Sequence, residues 1–155
     1  MSRRSVYIIL TGLIAGTLDI AAAMTHFFIA TGKNPVRVLQ FIASGVFGID
    51  AFSDNPMMPL YGSVFHFFIA MIWTTLFFIV YPTIKFFARH WILSGMLYAV
   101  IVWSVMTQTV LPLSSVPHQP FDSLKAILAV VILIFCIGLP ISFSANKFYS
   151  RQHTS

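Results

Sequence analysis

Charged residues are scarce in this chain of 155 residues, and glutamate does not occur in it. Only 8% of the residues are charged, against about 25% in an ordinary soluble domain. Hydrophobic residues make up 58% of the chain, so too few polar side chains remain to cover a soluble globule. The composition therefore excludes an ordinary soluble domain and indicates a membrane protein.

Cysteine is almost absent as well, since Cys136 is the single one and lies inside an apolar run. One thiol excludes an internal disulfide, a CxxC redox pair and a zinc site built from cysteines. The nine Lys and Arg residues give a formal net charge of +5 but form no cluster along the chain, so nucleic acid is not an expected partner. The expected partner is the lipid bilayer, and the sequence also permits a homodimer or a partner membrane protein.

Four apolar runs are long enough to cross a bilayer as helices, at about 6–30, 60–80, 91–111 and 126–144. The first run follows basic residues, as a secretory signal does, but it continues past a small-residue cleavage site and therefore favours a membrane span. In the fourth run, Gly138 and Pro140 predict a kink.

A shorter helix is predicted at about 34–52, between spans one and two, where Asn34 caps it and Pro35 takes the first helical position. Arg37, Gln40 and Ser44 form a narrow polar stripe on its otherwise apolar surface. We therefore predict an all-α fold, a four-transmembrane-helix bundle with a short amphipathic or re-entrant helix, in a single integral membrane domain over 1–155.

The distribution of Lys and Arg predicts the orientation of the spans. Six of them lie on the side that holds both termini: Arg3, Arg4, Lys85, Arg89, Lys147 and Arg151. Three lie on the other side: Lys33, Arg37 and Lys125. The excess predicts that both termini are cytoplasmic.

Asp19 is the one acidic residue within a predicted span, where a carboxylate costs about 2.5 to 3.5 kcal/mol and must face protein or water. The spacing places it on one helix face with small residues and a histidine. These residues are Gly12, Gly16, Ala23 and His26. Gly12 and Gly16 form a GxxxG unit, which allows a second helix to approach closely.

Span two carries a similar face, where His66 lies between Gly62 and Ala70 at spacings of four residues. Thr107 and Gln108 lie near the outer end of span three. The predicted topology places these polar residues in the outer half of the membrane, above Asp19. The outer loop adds His118, and the short helix adds Arg37 or Gln40, to the same expected vestibule.

Three chemistries fit this cluster. Asp19 and the histidines are candidates for a proton path, because imidazole titrates near neutral pH. His26, His66 and His118 are scattered candidates for a metal site, but they lack any HxxxH or HExxH spacing. The third chemistry is binding of a small polar ligand. Alternatively, Asp19 pairs with Arg37, Gln108 or a backbone donor and only sets the helix register.

Catalytic signatures such as GxSxG, a P-loop or HExxH are absent from the sequence, so no enzyme, metal or cofactor is expected. We therefore favour a non-enzymatic membrane protein with an outward-facing polar pocket for proton conduction, proton sensing or small-ligand binding. The alternative is a structural or accessory subunit that docks a partner through the GxxxG face.

Several segments resemble bacterial multi-pass membrane proteins and, more distantly, the YagU-like inner-membrane family, whose function is not established. They are 12–20 (GLIAGTLDI), 34–45 (NPVRVLQFIASG), 81–85 (YPTIK) and the loop that ends at Phe121 and Asp122. The resemblance implies a four-span bundle of the bacterial cytoplasmic membrane and no catalytic assignment.

Overall fold

The computed structural model describes residues 2–117 and 122–152, which form helices and turns without a β-strand. Four helices are long and apolar enough to cross a membrane. They are Arg3–Thr31 (span 1), Met57–Thr83 (span 2), Trp91–Leu113 (span 3) and Ser123–Arg151 (span 4). The predicted all-α four-helix bundle is confirmed. We call the end that holds Arg3 and Arg151 the terminal end, and the opposite one the distal end.

Local side chains set where the spans begin and end. The Ser2 hydroxyl accepts a hydrogen bond from the Ser5 N–H at 3.1 Å, and the Asp122 carboxylate accepts from the N–H groups of Leu124 and Lys125. Both caps satisfy N–H groups that the first helical turn leaves unpaired. Span 1 ends at Gly32, whose φ of 65° lies in the left-handed region that favours glycine.

The short helix covers Arg37–Phe47 and continues as a 3-10 helix over Gly48–Phe52. It begins later than predicted, because the Asn34 side chain accepts a hydrogen bond from the Val36 N–H at 3.0 Å and holds a turn there. The helix packs against the distal half of span 2, where a Cβ on Gly62 would collide with the Leu39 carbonyl. Gly62 is therefore the point of closest approach between the two helices.

Spans 3 and 4 touch backbone to backbone at Gly95 and Gly138. A Cβ added to either glycine would collide with the carbonyl oxygen of the other. Span 4 also packs along span 1, and span 1 packs along span 2. Small residues at helix crossings are typical of membrane bundles, where close van der Waals contact replaces the hydrophobic drive between helices.

The GxxxG face of span 1 is covered within the chain. A Cβ on Gly12 would lie 2.6 Å from Met71 Sδ, and a Cβ on Gly16 would lie 3.0 Å from the Phe67 ring and 3.2 Å from the Ala70 methyl. All three contacts come from span 2. Span 2 of the same chain therefore packs on the GxxxG face that the sequence offered for docking a partner.

Two wide π-helical turns interrupt the spans, at Met106–Val110 in span 3 and at Ile134–Gly138 in span 4. The middle residue of each turn, Gln108 or Cys136, lies four positions before a proline, Pro112 or Pro140. Proline has no N–H to donate to the carbonyl of the residue four positions earlier, and the proline ring crowds that carbonyl. The wide turn relieves the crowding, and in span 4 it falls where the sequence predicted a kink.

An aromatic cluster fills the terminal half of the bundle and joins spans 2, 3 and 4. Its centre is Phe77, which is fully buried and packs on the Tyr98 ring at 4.6 Å between centroids. The Tyr98 hydroxyl donates to the Trp73 carbonyl, and the Tyr149 hydroxyl donates to the Phe78 carbonyl at 2.7 Å. The outer surface of the spans exposes many large apolar side chains, as a lipid-facing surface does.

The glycine contact between spans 3 and 4 leads to a prediction. Gly138→Ala should lower the free energy of unfolding by about 1–3 kcal/mol, because the added methyl collides with the Gly95 backbone, which cannot move aside. Gly45→Ala is the matched control, since its Cβ would meet only ordinary contacts at 3.9 Å. Thermal unfolding in detergent measures both variants. Equal stability of the two would contradict the assigned contact.

Candidate functional site

Asp19 and His66 face each other across the interface of spans 1 and 2. The Asp19 Oδ2 atom lies 4.0 Å from His66 Nε2, and the two side chains are only 19% and 12% exposed. His66 Nε2 also lies 2.8 Å from the Gly16 carbonyl oxygen. The missing side chain of Gly16 lets span 2 come close enough for this ring to reach the backbone of span 1.

The hydrogen bond to Gly16 determines which ring nitrogen of His66 carries hydrogen. A carbonyl oxygen only accepts, so Nε2 must donate to it. Nδ1 is then the nitrogen that gains or loses a proton when the imidazole changes charge. Protonation there produces an imidazolium beside the Asp19 carboxylate, and the two opposite charges attract each other where water is scarce.

A groove of about 440 Å³ opens between spans 1 and 4 in the distal half of the bundle, and we call it the distal groove. Asp19, Ala23 and His26 line it along span 1, and Lys125 and Ala129 line it along span 4. Val38 of the short helix also lines the groove. Asp19 therefore lies between the distal groove, which it lines, and His66, which its carboxylate contacts.

Four residues expected in the vestibule lie elsewhere. Arg37 is exposed, and the Gln40 side chain donates to the Ser53 carbonyl at 3.3 Å. The Thr107 hydroxyl donates to the Trp103 carbonyl of its own helix, and Gln108 is exposed. None of the four lines the distal groove. His118 lies outside the described residues.

Asp19 has a different partner from those considered as register devices. Its carboxylate contacts His66, rather than Arg37 or Gln108. His26 and Asp19 both line the distal groove, whereas His66 contacts Asp19 but does not line the groove. Within residues 2–117 and 122–152, no three histidine, cysteine or acidic side chains come together as a metal site.

Sequence reasoning missed the part of span 4 that forms the far wall of the distal groove. Lys125 lies at its mouth and forms an ion pair with Asp122 at 3.4 Å. The position of Lys125 directly before the fourth apolar run was the available signal. Ala129, Ile132 and Leu133 also line the groove, but nothing in their residue types distinguishes them from lipid-facing neighbours.

No protein-family model, curated protein or solved structure matches this chain. The resemblance to YagU-like inner-membrane proteins therefore remains a prediction.

The Asp19 and His66 contact predicts non-additive effects on stability. His66→Leu should lower the thermal stability, because it leaves the half-buried carboxylate without its partner, whereas adding Asp19→Leu should recover part of the loss. We expect a coupling of about 0.5–3 kcal/mol between the two positions in thermal unfolding. Strictly additive losses would show that the two side chains do not interact.

Proposed function

We propose that this chain is a small, non-enzymatic protein of the bacterial cytoplasmic membrane that binds and releases protons at Asp19 and His66, to conduct or to sense them. Both termini lie on the cytoplasmic side in this proposal. The six Lys and Arg residues at the terminal end, against three at the distal end, support this orientation. The distal groove then lies in the outer half of the membrane.

The position of Asp19 carries the proposal. Its carboxylate is part of the wall of the distal groove and also lies 4.0 Å from His66. An ionisable residue within a spanning helix is costly to insert, so its occurrence favours a functional role. Asp19 is the one acidic side chain of span 1, so it is the carboxylate of this span that a proton in the groove meets.

The pair can hold one exchangeable proton in two forms that have the same total charge. When the proton is on Asp19, the carboxyl and the imidazole are both neutral. When the proton is on His66 Nδ1, a carboxylate faces an imidazolium and the total charge is still zero. Neither form places a net charge in the low-dielectric interior, which would be expensive.

The first test is proton flux. We expect wild-type protein in dye-loaded liposomes to conduct protons after a pH jump. Asp19→Asn should conduct no more than protein-free liposomes, because an amide side chain does not ionise near neutral pH. Thermal unfolding and the elution profile of each variant establish that it is folded. Equal flux in wild type and Asp19→Asn would rule out Asp19 as the carrier.

Asp122→Asn is the matched control for that experiment. The backbone hydrogen bond from Lys125 is the largest of the contacts that lower the pKa of Asp122 below its ordinary value, so this residue is a fixed negative charge near neutral pH. Asparagine also caps helices well, so span 4 keeps its start. We expect flux through Asp122→Asn to equal that of wild type. A loss as large as in Asp19→Asn would indicate a general effect of distal charge.

The route to Asp19 gives a second prediction. Ala23→Phe should fill the distal groove and reduce flux, because the aromatic ring occupies the space that leads to the carboxylate. Ala21→Phe is the control, since Ala21 is exposed on the same helix and does not line the groove. Flux is measured as before. Equal flux through both variants would place the route to Asp19 elsewhere.

Small-ligand binding is the second candidate function, and the size of the distal groove favours it. A volume of about 440 Å³ is within the range of small-molecule sites, and the groove combines apolar walls with Asp19, His26 and Lys125. Proton flux distinguishes conduction from ligand binding. A folded wild-type protein that conducts no protons would contradict conduction and leave proton sensing and ligand binding.

A further inference from the structure

A second groove of about 440 Å³ lies between spans 1 and 4 at the terminal end of the bundle, and we call it the terminal groove. Leu10 and Ile14 form its wall on span 1, and Pro140 and Phe143 form its wall on span 4. Leu10, Ile14 and Phe143 are more than half exposed, at 55%, 57% and 53%, so the groove opens sideways toward the surrounding lipid.

The polar groups inside the terminal groove are already paired with each other. Thr11 and Ser144 both line it, and their hydroxyl groups form a hydrogen bond across the two spans. This bond leaves the rest of the groove as an apolar channel along the helices. An apolar chain fits such walls better than a polar solute does, because a polar solute would lose its hydration without new partners.

Positive charge lies at the mouth of the terminal groove. Lys147 lines it, and Arg151 follows one helical turn later and donates to the hydroxyl of Tyr7, another lining residue, at 3.4 Å. No described acidic side chain lies at this end, because Asp50, Asp54 and Asp122 are distal and Asp19 is inside span 1. The mouth of the terminal groove is therefore complementary to an anionic group.

We propose that the terminal groove binds one acyl chain of an anionic phospholipid, with the phosphate of the lipid at Lys147 and Arg151. The apolar walls hold the chain, and the two cations hold the headgroup at the level where span 4 leaves the membrane. Basic pockets between transmembrane helices bind anionic headgroups in this way. The inference depends only on the chain lying in a membrane and is independent of proton binding at Asp19.

Native mass spectrometry of the full chain in detergent tests the proposal, with dioleoyl phosphatidylglycerol and dioleoyl phosphatidylcholine added at equal concentration. We expect wild type to retain phosphatidylglycerol preferentially. Lys147→Gln should weaken that binding about fivefold, which corresponds to one lost cation near a lipid headgroup. Lys85→Gln is the matched control, because Lys85 lies at the same end and does not line the terminal groove.

A second pair of variants tests the apolar part of the site. Leu10→Trp should displace the acyl chain and reduce retention of phosphatidylglycerol, whereas Leu13→Trp, on an exposed position of the same helix outside the groove, should not. Both positions face outward, so both variants should fold, and thermal unfolding verifies this.

Four outcomes would overturn the proposal. One is equal retention of the two lipids by wild type. Another is an equal loss in Lys85→Gln and Lys147→Gln, which would indicate diffuse attraction to the whole terminal end. The third is an equal effect of the two tryptophans. The fourth is displacement of the lipid by soluble glycerol phosphate at the same concentration, which would show that the headgroup alone binds.

Discussion

Small side chains allow helices of this protein to approach closely, and the rest of the structure depends on these contacts. Gly95 and Gly138 bring spans 3 and 4 together backbone to backbone, and Gly62 does the same for the short helix and span 2. Gly16 has a further consequence. Because it lacks a side chain, span 2 lies near enough for His66 to reach both the backbone of span 1 and the Asp19 carboxylate.

The number and position of the spans follow from the sequence because hydropathy and length are properties of continuous segments. The faces of small residues on spans 1 and 2 also follow from the sequence, since residues three or four positions apart share a helix face. That spacing suggested Asp19 and His66 as neighbours in one cluster. The pairing itself did not follow, because Arg37 and Gln108 were equally available partners on the sequence.

Two of the misplaced residues, Thr107 and Gln40, share one physical cause. A polar side chain in a helix can bond to a nearby backbone carbonyl, and spacing alone does not reveal which bond it makes. Thr107 bonds to its own helix, and Gln40 bonds to the end of the following 3-10 segment. The walls of both grooves could not be predicted from the sequence either. Ala129 and Leu10 have the same residue types as lipid-facing positions, and only the packing of spans 1 and 4 distinguishes them.

The two grooves lie along the same pair of helices, and the wide turn at Ile134–Gly138 lies between their walls on span 4. A π turn holds one residue more than an α turn, and each residue advances a helix by about 100°. Everything after that turn is therefore rotated by about that angle from where an uninterrupted helix would put it. Ser144 and Lys147 face span 1 because of this one additional residue, and a deletion there would turn both toward a different neighbour.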